Sequence, residues 1–284
     1  MRDSVTTLGR SLIQHGKHSD RVYLMKLDPA DLPGLIDEIE TLARNEGYTK
    51  IFSKIPDSER VAFDERGYVQ EAAIPRFYNG VGTAAFLAKF LDPQRAVEKR
   101  PKRIAKNLEL ARAKAGQGLS PSRRRKAARG PLHDCSTSPA DAEEMSGVYR
   151  EVFPTYPFPI DDPAYLLSTM AANVQYFCVR DNGRIVALAS AEKDLHGANA
   201  EMTDFATLPA YRRRGLAVYL LDRIEHEMRT QGVRTAYTIA RALSAGMNIT
   251  FAKMGYTYGG TLTNNTNIAG QIESMNVWYK PLMD

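Results

Sequence analysis

Arg212-Arg213-Arg214-Gly215-Leu216-Ala217 is the most informative stretch of this sequence. It follows an extended segment at 200–208 and precedes an amphipathic run from Val218, which predicts a strand, a tight turn and a helix. The first backbone N–H groups of a helix lack intrahelical partners, and the helix dipole adds positive charge there. Because Gly215 admits a ligand close to the backbone and the arginines add charge, we expect the turn to bind a pyrophosphate. The alternative is a basic helix start on a solvated surface.

The segments around this turn predict a regular series of elements over 135–284. Asp181-Asn182-Gly183 is a hairpin signal between two extended segments, and Gln231-Gly232 ends the helix that follows the turn. The predicted order is a helix at 138–152, strands at 176–180, 184–191 and 199–208, a helix from 218, a strand at 234–240, a helix at 244–254, and strands at 256–262 and 274–279.

The hexapeptide resembles the R/Q-x-x-G-x-G/A signature of the Gcn5-related N-acetyltransferases, the GNAT superfamily, and the order of elements resembles theirs throughout 135–284. The resemblance implies an α/β fold with a GNAT-type mixed, twisted sheet flanked by helices. It also implies acetyl-CoA as co-substrate, an amine as acceptor and no metal. The implied contacts to acetyl-CoA are Phe205, Ala206 and Thr207 on the strand edge, Arg212, Arg213, Arg214, Gly215, Leu216 and Ala217 at the turn, and Asn248.

The resemblance also provides two candidates for the catalytic base. Glu201 lies six residues before Thr207, where several GNAT members carry a base that deprotonates the amine, and Asp204 is its competitor. Side chains alternate along a strand, so the two acids face opposite sides unless a bulge changes the parity. Phe251 stands where many members have a proton-donating Tyr, which leaves Tyr256, Tyr258 or water for that role.

The first half of the chain contains an echo of the second. Gly67-Tyr68 and Gly255-Tyr256 each follow a strand and a helix and precede another strand. We therefore expect a smaller, partial GNAT-like α/β domain at 1–92, a basic helix and linker at 93–134, and an acetyltransferase domain at 135–284. The first domain lacks a counterpart of the 212–217 turn, so it is expected to wall the substrate pocket and not to bind CoA. The alternative is that strand–helix–strand units are common in α/β proteins.

Further motifs resemble the β-lysine N6-acetyltransferases, namely Gly246-Met247-Asn248, 257–262, Asn264-Asn265 and 273–280. The resemblance implies acetylation of the N6 amine of β-lysine, a diamine with one carboxylate, to give a compatible solute. Candidate substrate-binding residues are Glu71, Asp204, Asn264, Asn265 and Asn276. For the asparagines, turn chemistry is an equal alternative. Other acceptors remain open, namely a polyamine, an aminoglycoside or a protein lysine.

Charge is distributed unevenly along the chain. The 284 residues carry a net charge of +5, but 95–130 contains thirteen Lys and Arg against two Glu. Such a segment is typical of nucleic-acid binding, and the alternative function is a non-catalytic nucleic-acid-binding protein with a degenerate GNAT domain. The segment lacks the interleaved aromatic residues that stack on bases. We favour a solvated basic helix at 92–114 with a linker at 116–122, so no nucleic-acid partner is expected. Attraction of the CoA phosphates is a second possibility.

Composition is consistent with a globular protein with two cores; the resemblance implies an amine substrate as its partner. Hydrophobic residues make up 43% of the chain, and no run of 18 apolar residues predicts a membrane span. Two cysteines, Cys135 and Cys178, suggest a reducing cytoplasm, with Cys178 packed as a small buried thiol. Oligomerisation is possible.

Overall fold

A computed structural model describes residues 3–117 and 132–283, and the backbone alone of 132–136. The described chain folds into one large mixed sheet with helices on its surfaces. The strands are β1 Ser4–Leu8, β2 Ser11–Gly16, β3 Arg21–Lys26, β4 Lys50–Pro56, β5 Val69–Tyr78, β6 Gly82–Phe90, β7 Leu132–Ser136, β8 Val174–Asp181, β9 Arg184–Asp194, β10 Asn199–Thr207, β11 Thr235–Arg241, β12 Thr257–Ile268 and β13 Gln271–Pro281. The α-helices are α1 Gly34–Asn45, α2 Arg60–Asp64, α3 Pro101–Arg112, α4 Ala142–Val152, α5 Pro163–Ala172, α6 Leu216–Thr230 and α7 Ala245–Lys253.

The strand order reveals a repeat within the sheet. It runs β1-β2-β3-β4-β6-β5-β12-β13-β11-β10-β9-β8-β7, so the six strands of the first half mirror β8–β13 of the second. In each half two antiparallel pairs lead to one parallel pair, β3 with β4 and β10 with β11, bridged by α1 or α6. The first half is therefore a GNAT-like unit in topology, and the two units meet where β5 pairs with β12.

Glycines in the left-handed region end the helices of both units. Gly67 has φ 79° after α2, Gly255 has φ 83° after α7, and Gly232 has φ 82° after α6. Such values are open to glycine and strained for most other residues, so these positions terminate helices. The Gly-Tyr echo in the sequence thus marks the same helix end in the two repeats.

The first unit does have a topological counterpart of the 212–217 turn, which sequence analysis missed. Pro29–Asp31 forms a 3-10 turn after β3, and α1 begins at Gly34. The charge at this place differs between the units. In the first unit Asp28 caps the 3-10 turn, and Asp31 accepts hydrogen bonds from Ser11 Oγ and the Arg10 N–H, whereas in the second unit three arginines follow the 3-10 turn Pro209–Tyr211. The turn therefore repeats in shape but not in charge.

Buried apolar residues form one cluster in each unit and a third cluster between them. The third contains Phe52 and Phe86 from the first unit and Tyr237, Met275 and Val277 from the second. A lysine and a glutamate reinforce this junction: Lys50 and Glu71 form a buried ion pair of 2.7 Å, and both bond to the backbone of Thr263 on β12.

The basic helix is shorter than predicted and one of its faces is buried. α3 begins at Pro101, which suits a first helical position, and Ile104 and Ala111 lie on its buried face. Asn107 donates to the Ala242 carbonyl, and the Arg112 guanidinium lies 5.1 Å from the Tyr258 ring centre. The helix therefore packs on the second unit and is not wholly solvated. Arg123 to Lys126 lie outside the described residues.

Cys178 is fully buried on a strand, β8, as predicted, but it is disulfide-bonded, so the prediction that it packs as a thiol is wrong. Cys135 lies opposite it in the β7–β8 register. None of the helices in the described ranges has the length and apolar character that crossing a membrane requires.

Candidate active site

The two parallel strands of the second unit separate to form a cleft. β10 and β11 pair only from Asn199 with Thr235 to Glu201 with Tyr237, although β10 continues to Thr207 and β11 to Arg241. A cavity of about 150 Å³ opens at the divergence. Its lining includes Glu201, Thr203, Asp204 and Phe205 from β10 and 238–241 from β11. The unpaired edge of β10 leaves backbone groups free to bond a ligand.

A bulge in β10 brings both candidate bases to this cavity. Thr203 pairs with Ser190 and Ala206 with Leu188, so Asp204 and Phe205 together oppose one residue of β9. Asp204 adopts φ 54° there, and its carboxylate accepts from Ser190 Oγ at 2.5 Å and from Tyr156 OH at 2.6 Å. The extra residue changes the parity of the strand, so Asp204 faces the same side as Glu201.

Three carboxylates at one end of the cavity have raised pKa values. Burial, reinforced by repulsion from Glu192, raises the pKa of Glu201 to about 7. Burial also raises the pKa of Glu192 and of Asp204, although hydrogen bonds from Ser190 and Tyr156 oppose the rise at Asp204. A carboxylate that titrates near neutral pH can accept a proton from an amine and release it again.

The first unit contributes a second wall. Arg21, Tyr23 and Met25 alternate on β3, and Phe52 and Lys54 alternate on β4, so each set shares one face of its strand. Both sets line the cavity. Lys54 Nζ donates to Tyr237 OH at 3.1 Å, and its charge lowers the pKa of Glu201 and Glu192 against the effect of burial.

The 212–217 turn lies beyond the carboxyl end of β10. Arg212, Arg213 and Arg214 are exposed, whereas Leu216 is buried at the start of α6. Gly215 caps that helix with φ 82°, and Arg213 has φ 66°. The free N–H groups of the first helical turn, the dipole and the three side chains therefore form an exposed cationic end. Phe205 lines the cavity, Ala206 is buried, and Thr207 ends the strand.

The structure distributes the predicted amide residues differently from the expectation. Asn248 is fully buried; it donates to the carbonyls of Arg241 and Ser244 and accepts from Asn276 and Trp278. Asn276 also accepts from Thr261 Oγ1. These contacts describe an internal network of amides that holds α7 to β13. They favour a structural role for Asn248 and Asn276 over contact with acetyl-CoA or substrate.

Glu71 and Asn264 likewise bond within the protein. Glu71 is in the Lys50 ion pair, and Asn264 donates to the carbonyls of Arg95 and Val97 from a β12 bulge where its φ is 43°. The left-handed conformation is one that Asn tolerates, although it lies inside a strand and not in a turn. Four residues were predicted to bind substrate without also being candidates for the base, namely Glu71, Asn264, Asn265 and Asn276. Of these four, Asn265 lines the cavity.

Neither tyrosine considered as the thiolate proton donor lines the cavity. Phe251 and Phe205 pack edge to face with ring centres 5.6 Å apart beside the cavity. Tyr256 is buried near Glu225, and Tyr258 OH bonds to Thr261, so both hydroxyls lie outside the lining. Ser244 is a hydroxyl that does line it.

Sequence reasoning missed Arg21, Lys54 and Glu192, which line the cavity beside the predicted acids. The signal available was alternation: Arg21-Val22-Tyr23 and Phe52-Ser53-Lys54 place polar or cationic side chains on the same strand face as aromatic ones. Charged side chains are almost never fully buried unless they are paired, so a charged residue on an otherwise buried strand face is a signal for a site.

Comparisons with known proteins agree with this geometry. The model of the Acetyltransferase (GNAT) family matches residues 143–256. The Beta-lysine N(6)-acetyltransferase of Methanococcus maripaludis is 40% identical over 278 residues, 98% of either chain. The Beta-lysine N(6)-acetyltransferase of Methanosarcina mazei is 32% identical over 89% of this chain and 100% of its own, and N-acetyltransferase YodP of Bacillus subtilis is 43% identical over 50% of this chain and 52% of its own. The chain therefore belongs to the GNAT family of acetyltransferases, enzymes that transfer acetyl from acetyl-CoA to an amine.

Proposed function

We propose that this enzyme acetylates the N6 amine of β-lysine with acetyl-CoA, giving N6-acetyl-β-lysine for use as a compatible solute. The similarity to the two β-lysine acetyltransferases extends over both units of the chain. The observation that carries the proposal is that residues of both units line one cavity. The second unit provides three acids, Glu192, Glu201 and Asp204, and the first unit provides two cations, Arg21 and Lys54. β-Lysine has two ammonium groups and one carboxylate, so it requires acids and a cation together.

Acetyl-CoA would lie along the unpaired edge of β10. The N-terminus of α6 with Gly215 suits the pyrophosphate, because its N–H groups and dipole favour a negative charge. The exposed Arg212, Arg213 and Arg214 add charge at the same place. Backbone groups of Phe205, Ala206 and Thr207 would bond the pantetheine, which ends at the cavity.

Glu201 is the proposed general base. Its raised pKa, about 7, allows it to take a proton from the N6 ammonium near neutral pH. The neutral amine then attacks the thioester carbon and the C–N bond forms. As the C–S bond breaks, the nitrogen loses its extra proton and the CoA thiolate takes up one proton, so that the products are the amide and the CoA thiol. Asp204 is held by Ser190 and Tyr156, so it is proposed as an anchor for the amine and not as the base.

The proposal is tested by assaying purified enzyme with acetyl-CoA and a panel of amines. β-Lysine should give the highest kcat/KM, and mass spectrometry with NMR should locate the acetyl group on N6. Spermidine, an aminoglycoside and a lysine peptide represent the competing acceptors. A higher kcat/KM for any of these, or acetylation at the other amine, would contradict the proposal.

The basic segment supports one second candidate, nucleic-acid binding. Its four consecutive cations at 123–126 can be replaced by Ser, and both activities measured on that variant. We expect acetyl transfer to persist and neither form to bind RNA or DNA. Tight, salt-sensitive binding by the parent that is lost in the variant would support the alternative, since each phosphate contact adds about 0.9 to the salt slope.

A further inference from the structure

Arg21 is a buried cation with an unused donor. It lines the cavity and is 3% exposed. Its Nη1 donates to the Asn265 carbonyl at 2.8 Å and to Thr266 Oγ1 at 3.0 Å, and its Nη2 donates to Gln14 Oε1 at 3.4 Å. Its Nε has no hydrogen-bond partner within the described part of the chain. Every acceptor that it does use is neutral.

A guanidinium in such a place is costly without an anion. Burial lowers the pKa of Arg21 to about 10, and the charges of Tyr23 and Asp3 oppose that change only in part. The Asp3 carboxylate is itself bonded to the Ser19 N–H, and the salt bridges found among the described residues do not include Arg21. Buried charges in proteins are normally paired, so the site is suited to an external carboxylate.

Asn265 supplies the complementary group next to Arg21. It also lines the cavity, it is 1% exposed, and its Oδ1 has no partner among the described residues. An unpaired donor on Arg21 and an unpaired acceptor on Asn265 therefore lie on residues that are already hydrogen-bonded to each other.

These groups are at the opposite end of the cavity wall from Lys54 and the acids. Arg21 is in register with Lys50 on β4, so Lys54 lies four residues further along that strand, roughly 13 Å at about 3.3 Å per residue. Tyr23 and Phe52 stack between them with ring centres 4.5 Å apart. Arg21 lies 5.1 Å from the Tyr23 ring centre. The cavity thus has a cationic end and an acidic end separated by an aromatic wall.

We propose that Arg21 Nε donates to the substrate carboxylate while Asn265 Oδ1 accepts from the neighbouring 3-ammonium. This inference rests on the proposed function and identifies how the site selects an amino acid from among diamines. Carboxylate and 3-ammonium bind at the cationic end, and the aliphatic chain lies along Tyr23 and Phe52. The N6 amine then extends to Glu201. The first unit is therefore the part that determines specificity.

The test compares β-lysine with 1,4-diaminopentane, which is β-lysine with hydrogen in place of the carboxylate. The wild-type enzyme should prefer β-lysine in kcat/KM. In Arg21→Gln, KM for β-lysine should rise about 10- to 100-fold, the loss expected for one hydrogen bond to a charged group. KM for the diamine and for acetyl-CoA should not change, which also shows that the variant is folded.

Arg95→Gln is the matched control. Arg95 is another buried arginine of the chain that bonds to β12, through the Asn264 carbonyl, but it is outside the cavity lining. Its loss should leave the preference for β-lysine unchanged. If Arg21→Gln keeps the full wild-type preference, the inference is wrong even though the enzyme is a β-lysine acetyltransferase.

Asn265→Leu gives an independent measurement should Arg21→Gln fail to fold. It removes Oδ1 at similar side-chain volume, so it should erase the preference for β-lysine over 6-aminohexanoate, which lacks the 3-ammonium. Retention of that preference would overturn the role of Asn265. Failure of the wild-type enzyme to acetylate β-lysine at all would instead reject the proposed function.

Discussion

Gly260 lies directly against Ala72 at the register pair that joins β12 to β5. A Cβ at Gly260 would be 2.6 Å from Ala72 Cα and would also clash with the Glu71 carbonyl. The two units of the sheet thus meet backbone to backbone at a position open only to glycine. This junction positions β12, which provides Asn265 and Thr266 to the cavity beside Arg21.

Gly260→Ala should destabilise the protein and weaken the substrate site. Overpacking of this kind costs about 1–3 kcal/mol, and the change should lower the urea midpoint accordingly. Because the joint holds β12 against the first unit, KM for β-lysine should rise while KM for acetyl-CoA stays near the wild-type value.

Gly270→Ala separates backbone strain from contact. Gly270 also has a positive φ, +87°, but its added Cβ would have open space around it. Gly270→Ala should lower the free energy of unfolding only by the strain of an alanine in the left-handed conformation, about 1 kcal/mol. Equal effects of the two substitutions would show that the close approach at Ala72 does not matter.

Glu201→Gln should lower kcat by about 10²–10⁴-fold, the usual contribution of one general base. In the wild-type enzyme the rate should rise with pH through about 7, as Glu201 loses its proton. The variant should lack that rise and should bind CoA normally in calorimetry. If the rise persists in Glu201→Gln and disappears in Asp204→Asn, then Asp204 is the base.

The same substitution should change how stability depends on pH. The pKa of Glu201 is raised from 4.5 to about 7 in the folded protein, so the folded state holds more protons than the unfolded state between these values. The contribution of Glu201 to stability therefore falls as pH rises through this window. Urea unfolding at several pH values should show a smaller fall for Glu201→Gln than for wild type.

The order of elements in the second unit could be predicted because its signals are local. Gly232 and Gly255 end helices, Asn182-Gly183 makes a turn, and α6 has a clear apolar period. The roles of the buried asparagines could not be predicted, because they depend on hydrogen-bond partners that are distant in sequence. The side-chain oxygen of Asn248 accepts from Asn276, whereas that of Asn265 has no partner among the described residues. The bulge in β10 could not be predicted from the sequence either. Asp204 reaches the cavity because the strand contains one extra residue, and the sequence pattern of the strand gives no sign of it.

Asn248→Ala tests whether this amide contacts acetyl-CoA. Its four buried partners, the carbonyls of Arg241 and Ser244 and the side chains of Asn276 and Trp278, would lose their hydrogen bonds. We expect a loss of about 2–4 kcal/mol in the free energy of unfolding, since each unsatisfied buried group costs about 1–3 kcal/mol. CoA affinity of the folded variant should be unchanged. A stable variant that binds CoA weakly would restore the direct contact that family resemblance implies.

Gly215→Val should abolish CoA binding. Gly215 caps α6 with φ 82°, a conformation that a β-branched residue adopts only with strain, and the added side chain would block the approach of a pyrophosphate to the first N–H groups of the helix. Gly232→Val is the matched control, because Gly232 has the same φ of 82° at the other end of α6, with open space around it. Both variants should lose stability, but only Gly215→Val should lose the calorimetric signal for CoA. If the two variants bind CoA equally well, the phosphate site lies elsewhere than at the start of α6.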